Sequence, residues 1–340
     1  MNNENVPTNK KCRERSKMVT IKQVALEAGV SKSTVSRYIA GNGYVGQDAQ
    51  EKIKAAIKKL NFVPNLSARS LKTKRSQLVG LLLPDISNPF FPRLAKGAEV
   101  FLQEKGYRVM LGNVGENAEL EEEYLKVLVQ LNAAGVISVH DFTERFPELD
   151  LPRVIVDRVG HHTDFGVFSD NEAGGRMAAE VVVKAGTQNV AVISGPTTSE
   201  NINSRFKASC ESLSAHKVNF RKFYSQSYQF ETIQKEAQTV LDAFPDLDSI
   251  ITPSDIHGVA YLRELLNRGI KVPEEVQVIG YDDIILSQFA YPALSTIHQS
   301  AYEMGAEAAK LIYKMDTGQT ISEKKIELPV SYIERETIRK

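Results

Sequence analysis

Several stretches of this sequence carry side chains suited to holding a small polyhydroxylated molecule. Asn88-Pro89-Phe90-Phe91, Asp157-Arg158, Ser254-Asp255 and Asp282-Asp283 each stand just after a short apolar run, and Arg205 follows another. Carboxylates accept from hydroxyls, an amide both donates and accepts, and arginine donates through a rigid fork. The faces of Phe90 and Phe91 suit the apolar C–H faces of a sugar ring. Each residue alone has a plainer reading, since an Asp after a strand often caps a helix and paired phenylalanines often fill a core. Five such positions with matching chemistry are harder to dismiss. Catalysis fits them poorly. Adjacent Asp282 and Asp283 point to different sides of a chain, whereas glycosidase carboxylates face one another at about 5 Å or about 6.5–9.5 Å. His161-His162 has no third ligand at useful spacing, and neither a Gly-x-Ser-x-Gly elbow nor a Walker A sequence occurs. No enzyme activity, cofactor or metal is expected.

A second group suits DNA. Lys32 and Ser33 open a short cationic, hydroxyl-rich stretch, and Arg37 one turn later can make the bidentate fork to guanine. Thr20, Thr34 and Tyr44 suit phosphate contacts, which position a protein without reading sequence. The plainer reading is a three-helix bundle with a solvated basic face. Charge speaks against it. The whole chain is neutral, yet residues 1–77 hold sixteen basic and five acidic side chains, +11, which leaves −11 for residues 78–340. A basic module joined to an acidic body with a different task is implied.

The elements that must position these groups are legible in the pattern. Thr20 with Gln23 forms a capping box ahead of a helix through Ala28, Gly29 ends it, and Ser31 caps a second helix. Helix, glycine turn and helix make a helix-turn-helix. A third helix, about Asp48 to Leu60, closes a small core. Gly41-Asn42-Gly43-Tyr44-Val45-Gly46 matches a dinucleotide fingerprint by letter, but a helix precedes it rather than a buried strand, so it reads as a turn. Asn65 then caps a short stretch to Leu71, followed by Lys72, Lys74 and Arg75. This is either an ordinary linker or a marginal helix that folds on DNA and wedges Leu71 between base steps.

From Leu78 onward, apolar runs alternate with amphipathic helices. Strands are expected at Leu78–Leu83, Arg108–Leu111, Gly135–Val139, Val154–Val156, Val190–Ile193, Ser249–Thr252 and Val276–Ile279. Such βα units imply two lobes, each a parallel sheet covered on both faces, with ligands beyond the carboxyl ends of the strands. The two cysteines form no framework, the polar first seventeen residues are no secretory signal, and no apolar run is long enough to span a bilayer. A cytoplasmic protein with no membrane partner is expected. Residues 1–17 read as a disordered lead-in, with Met18 a second candidate start.

Taken together, the chain resembles the lactose-repressor (LacI/GalR) family over residues 18–338. Thr20–Ala25, Gly29–Ser31, Thr34–Arg37, Pro64-Asn65 and Ala68–Leu71 are similar to its DNA-binding head and hinge. Ser169–Gly175, Val278–Asp283, Ser295–Ile297 and Met304-Gly305 are similar to its effector-binding core. The resemblance implies a homodimeric repressor on palindromic double-stranded operator DNA, with Asn65, Ala68 and Leu71 in a DNA-contacting hinge. It also implies a core of the periplasmic-binding-protein type I fold, whose chain crosses between lobes near Asp157, Tyr291 and Thr320. The expected divisions are a head at 18–63, a hinge at 64–77, one lobe at 78–158 with 293–321, and the other at 159–292 with 322–340.

Within that family the likeness is to ribose-operon repressors, and the cleft is similar to that of periplasmic ribose-binding proteins. That likeness implies a sugar inducer held by Asn88, Phe90, Phe91, Asp157, Arg158, Arg205, Ser254, Asp282 and Gln299. Ser254 departs from the Asn common at its position, which shortens an amide contact to a hydroxyl. A sucrose- or fructose-responsive repressor, or a carbon-catabolite regulator with a phosphoprotein corepressor, is the alternative. For the dimer interface, the apolar face Phe91, Leu94, Ala95, Ala98 and Phe101 is one candidate, though a helix packed on its own sheet has the same pattern.

Overall fold

The computed structural model describes residues 19–40, 43–62, 76–141, 149–196 and 200–340. The chain divides into two compact units, residues 1–72 and 73–340. The first contains α1 (Ile21–Ala28), α2 (Lys32–Ala40) and α3 (Gln47–Lys59). The capping box forms: Gln23 N–H donates to the Thr20 hydroxyl over 3.4 Å, and Thr20 N–H donates to Gln23 Oε1 over 2.7 Å. Gly29 ends α1 at φ 65°, a left-handed conformation that costs glycine little. Val24, Val35 and Ile53, one from each helix, are fully buried together. Gly43–Gly46 runs into α3 rather than following a strand. The hinge positions Asn65, Ala68 and Leu71, and residues 1–17, lie outside the described residues.

The second unit is built of two six-stranded sheets. In chain order its elements are β1 (Leu78–Leu83), α4 (Phe90–Glu104), β2 (Arg108–Asn113), α5 (Ala118–Gln130), β3 (Gly135–Ser138), β4 (Arg153–Val156) and β5 (Gly166–Ser169). There follow α6 (Asn171–Lys184), β6 (Asn189–Ser194), α7 (Glu200–Ala215), β7 (Asn219–Tyr224), α8 (Phe230–Ala243), β8 (Ser249–Ile251) and α9 (Asp255–Asn267). The last are β9 (Gln277–Asp282), α10 (Ile285–Phe289), β10 (Ser295–His298), α11 (Ala301–Thr317), β11 (Lys325–Leu328) and β12 (Ser331–Ile333). The first sheet has the order β11-β5-β4-β3-β1-β2, all parallel. The second has the order β12-β10-β9-β8-β6-β7, parallel except for the edge strand β12, which runs antiparallel to β10.

The lobe boundaries differ from those expected. The chain leaves the first sheet only after β5, returns after β10 and crosses again between β11 and β12. The crossings therefore lie near Asp170, Gln299 and Pro329, not near Asp157, Tyr291 and Thr320. Residues 159–169 and 322–328 contribute to the first lobe, and 293–298 to the second. The cause is physical: β5 is hemmed in by Asp164 and Asp170, and β10 has Ile297 as its single apolar residue, so neither stands out as an apolar run.

The face of α4 carrying Phe91, Leu94 and Ala98 is spent inside the first lobe, where these residues join Val79, Leu81, Met304 and Ala308. A Cβ on Gly97 would lie 1.9 Å from the Tyr302 carbonyl oxygen, and one on Gly305 would lie 2.0 Å from that of Leu94. Two glycines thus let α4 and α11 pack backbone to backbone, which leaves that face no role as a dimer interface. Among the described residues no helix is long and apolar enough to cross a membrane.

Candidate functional site

On the head, Lys32, Ser33 and Arg37 are exposed along α2, with Thr20 exposed and Thr34 half-buried nearby in sequence order. The Ser31 hydroxyl accepts the Thr34 N–H at 3.1 Å and lies 2.7 Å from the Ser33 hydroxyl and 2.8 Å from that of Thr34. This cluster fixes the first turn of α2, where a base-reading helix presents its side chains. Tyr44, 90% exposed, stands free of the head's core.

In the second unit, strand ends from both sheets converge on a cavity of about 470 Å³. All nine expected residues line it: Asn88, Phe90, Phe91, Asp157, Arg158, Arg205, Ser254, Asp282 and Gln299. Phe90 and Phe91 meet edge to face with centroids 5.4 Å apart. The Asn88 side chain turns back to accept the Phe90 N–H at 3.1 Å, which starts α4 at the cavity wall.

Arg205 is the most tightly held of the group. Its Nε donates to Asn171 Oδ1 over 2.8 Å, and a terminal nitrogen donates to the Pro253 carbonyl over 2.9 Å. The guanidinium lies over the Tyr281 ring, 3.8 Å from its centroid, and 4.0 Å from Asp282 Oδ1. Paired glycines make this approach feasible: a Cβ on Gly175 would lie 2.0 Å from the Arg205 carbonyl oxygen, and one on Gly174 would lie 2.0 Å from the Tyr281 hydroxyl.

Asp282 takes φ 113° and Asp283 φ 59°, so the backbone turns sharply at the end of β9. The two carboxylates part company there. Asp282 faces the cavity and accepts from Gln299 Nε2 at 2.7 Å, while Asp283 pairs with Arg335 and lies 3.0 Å from His298 Nδ1. Burial pushes the Asp282 carboxyl well above the usual range, with Arg205 pulling the other way. Asp157, also at positive φ, is raised by burial as well, against Arg205, Arg158 and His140. Asp255 turns inward from Ser254 and accepts the Ile284 N–H at 2.8 Å and the Thr296 hydroxyl at 2.5 Å. Burial lifts its pKa to about 7. Asp255 is therefore a support for the β9 turn.

Several cavity-lining residues were not anticipated from sequence. Glu116, beyond β2, accepts from Arg158 at 2.7 Å and 3.0 Å and pairs with His140 at 2.9 Å. Burial raises the Glu116 pKa, but His140 and Arg158 outweigh it and bring the group to about 2. His140 is lowered by burial and raised more by Glu116 and Glu121, so its pKa stands above the ordinary histidine value. Tyr228, beyond β7, also lines the cavity. Two buried polar atoms of cavity residues, Arg158 Nε and Gln299 Oε1, have no protein partner among the described residues. A native interior seldom leaves such atoms unpaired, so both are suited to a ligand.

Known proteins share both units. Residues 20–65 match the model for bacterial regulatory proteins of the lacI family, and 179–338 match a periplasmic binding protein-like domain. A ribose operon repressor of Lactococcus lactis subsp. lactis (strain IL1403) is 68% identical, over 95% of this chain and 98% of its own length. The chain belongs to the lacI family of bacterial regulatory proteins. A ribose operon repressor of Bacillus subtilis (strain 168) is 41% identical, over 95% of this chain and 99% of its own. Among solved structures, a periplasmic binding protein/LacI transcriptional regulator from Alkaliphilus metalliredigens QYMF complexed with D-xylulofuranose superposes with a TM-score of 0.73. It is 30% identical, and the match covers 78% of this chain and all of that one. For this lacI-family chain, the head and the two-lobed core expected from sequence are both present.

Proposed function

We propose that this protein is the transcriptional repressor of a ribose-utilisation operon, a homodimer released from a palindromic operator when ribose enters the cleft. The observation that carries the ligand class is the cleft's charge balance. Arg158 is paired with Glu116, and both Asp282 and Asp157 stand by Arg205, so acidic groups outnumber the two cations and no surplus positive charge is on offer for a phosphate or a carboxylate. A neutral polyol is what such a site accommodates, with donors and acceptors in similar number. The names of the two relatives and the pentulose in the solved neighbour support a five-carbon sugar. Arg205 and Asp282 hold hydroxyls from the second lobe, with Ser254 and Gln299 beside them. Asp157, Arg158 and Asn88 hold hydroxyls from the first lobe, where Phe90 and Phe91 cover the ring.

In the head, Lys32, Ser33 and Arg37 read bases, while Thr20, Thr34 and Tyr44 hold phosphates. Asn65, Ala68 and Leu71 form the hinge in the minor groove. For dimerisation, Ile285, Leu286, Phe289 and Tyr291 form an apolar patch about α10, with Phe289 80% and Tyr291 87% exposed. A second copy of the chain covers it, because a two-fold operator asks for a two-fold protein.

Calorimetric titration with ribose, fructose, sucrose and a phosphosugar, each repeated with operator bound, tests the reading. Ribose should bind, and operator should weaken it by the factor by which ribose weakens operator, worth about 1–3 kcal/mol. If no sugar binds, or the only binder tightens DNA, the inducer reading is wrong. Operator affinity should also fall by about 10³-fold or more between low and moderate salt if six or more phosphates are neutralised.

A further inference from the structure

Ser254 stands at the end of a chain of buried hydrogen bonds that leads away from the cavity. Its hydroxyl lies 2.8 Å from His257 Nδ1. The other ring nitrogen, Nε2, lies 3.1 Å from the Ser225 hydroxyl oxygen. Ser225 in turn donates to Glu236 Oε2 over 2.5 Å, and Glu236 Oε1 accepts the Gln226 N–H at 2.9 Å. Ser254, His257 and Ser225 are all buried, and Tyr228 packs edge-on against the imidazole with centroids 5.6 Å apart.

Counting protons gives this chain a direction. The Ser225 hydroxyl has one proton and two acceptors in reach, the Glu236 carboxylate and the Ser227 carbonyl at 3.0 Å. The imidazole is a third candidate, but a carboxylate at 2.5 Å is the stronger acceptor and would face a bare Ser225 lone pair if the proton turned to Nε2, so the proton points away from His257. The Ser225 oxygen can then only accept from the imidazole, which puts the ring proton on Nε2. Burial pushes the His257 pKa down to about 3, against a backbone hydrogen bond with Ser227, so the ring is neutral and Nδ1 carries a lone pair. Ser254 must donate to that lone pair, and its oxygen also accepts the His257 N–H at 3.5 Å to cap α9. Toward the cavity, which Ser254 lines, only acceptor capacity remains.

We propose that His257 fixes Ser254 as an acceptor-only contact, so that the cleft selects a ligand with a free hydroxyl donor at the carbon facing Ser254. This rests on the sugar reading above and deepens it. An unconstrained serine hydroxyl turns to suit either a donor or an acceptor; one committed to His257 does not. A ligand with fluorine at that carbon would oppose lone pair to lone pair in a buried site, where an unmade hydrogen bond is costly.

Two measurements on the full chain test the proposal. Nitrogen-15 spectra of the histidines between pH 5 and 8, with His257 assigned through His257→Gln, should show a neutral Nε2–H ring throughout. Calorimetry should compare D-ribose with its 2-, 3- and 5-deoxyfluoro analogues on wild type, Ser254→Ala and His257→Met. One analogue should bind wild type about ten-fold or more weakly than ribose. That ratio should shrink to about three-fold or less in His257→Met, whose serine proton is free to turn, and in Ser254→Ala, which has no contact to lose. Ribose binding together with an Nδ1–H ring overturns the relay and leaves the sugar reading standing. Fluoro penalties that persist unchanged in both variants, or no penalty in wild type, overturn the Ser254 contact. An Nε2–H ring with no sugar bound overturns the sugar reading and the hydroxyl contact with it.

Discussion

Each wall of the cleft presents one buried arginine, and the two are held in different ways. On the first lobe, Arg158 donates to both oxygens of Glu116, whose side chain is 61% exposed. Its Nε has no protein partner among the described residues. On the second lobe, Arg205 is anchored to Asn171 and to the Pro253 carbonyl, stacked on Tyr281 and set against the buried Asp282. The first arrangement borders water and can exchange partners at small cost. The second is dry and tied to backbone, so its geometry is settled before a ligand arrives, which is what preorganised binding needs. The difference teaches which substitutions should act on stability and affinity together, and which should act mildly on affinity alone.

Arg205→Ala should produce the largest effect. It leaves Asp282 buried without its cation, a situation that typically costs about 3–5 kcal/mol. Thermal unfolding should move down, and calorimetry should find no measurable sugar binding. Arg205→Lys should rescue little, since a point charge cannot stack on Tyr281 and reach both oxygen acceptors at once. If Arg205→Ala is as stable as wild type, the second wall is not the preorganised one.

Gly175→Ala comes next and acts without touching the cavity. Its Cβ would meet the backbone of Arg205 at 2.0 Å, so α6 and α7 must move apart. Overpacking of this kind costs about 1–3 kcal/mol, and the shift is passed directly to the arginine. Sugar affinity should fall in parallel with stability, and a variant that loses stability but binds ribose normally would break the link.

Titration separates the walls more gently. Asp157, Asp255 and Asp282 all have pKa values raised by burial. The folded chain therefore keeps protons that the unfolded chain has released, and the stability these groups lend is present below the ordinary carboxylate range and lost as pH rises through their folded values. For Asp255 that loss runs from about pH 4 to about 7, its folded pKa. The unfolding midpoint of the sugar-free chain should drop by a few degrees over this window. Asp282→Asn should flatten the slope, and an unchanged slope would show that Asp282 ionises in the folded chain as readily as in the unfolded one.

These contrasts were only partly open to a reader of the sequence. The head was legible because its signals are local: Thr20 and Gln23 cap one helix, Gly29 ends it, and both lie within ten residues. Asp157, Arg158, Arg205 and Asp282 were legible as polar residues following apolar runs. What made Arg205 special was not, since Asn171 and Pro253 are 34 and 48 residues away along the chain. Tyr228 was missed because β7, an edge strand, has charged Arg221 and Lys222 between Phe220 and Phe223, and so gave no apolar run to follow. The lobe crossings were misplaced for a similar reason, because β5, flanked by Asp164 and Asp170, and β10, with Ser295, Thr296 and His298 around Ile297, show no apolar run and owe their burial to their neighbours in the sheet.

Glu116→Gln should have the smallest effect, and it tests the first wall most directly. Glutamine keeps the shape of the side chain and one acceptor for Arg158, but it removes the charge that draws His140 above its ordinary pKa. His140 should then titrate lower, which proton spectra of its ring can follow. Because Glu116 is solvent-facing, its ion pair with Arg158 is worth about 1 kcal/mol or less, and salt should erode that further. Ribose affinity should change by no more than about five-fold at low salt, and by less as salt is added. Arg158 has the Tyr228 ring 5.8 Å away to steady it when the carboxylate is gone. If Glu116→Gln instead weakens ribose as severely as Arg205→Ala, Arg158 is no more adaptable than Arg205. The two walls would then have to be treated as one rigid site.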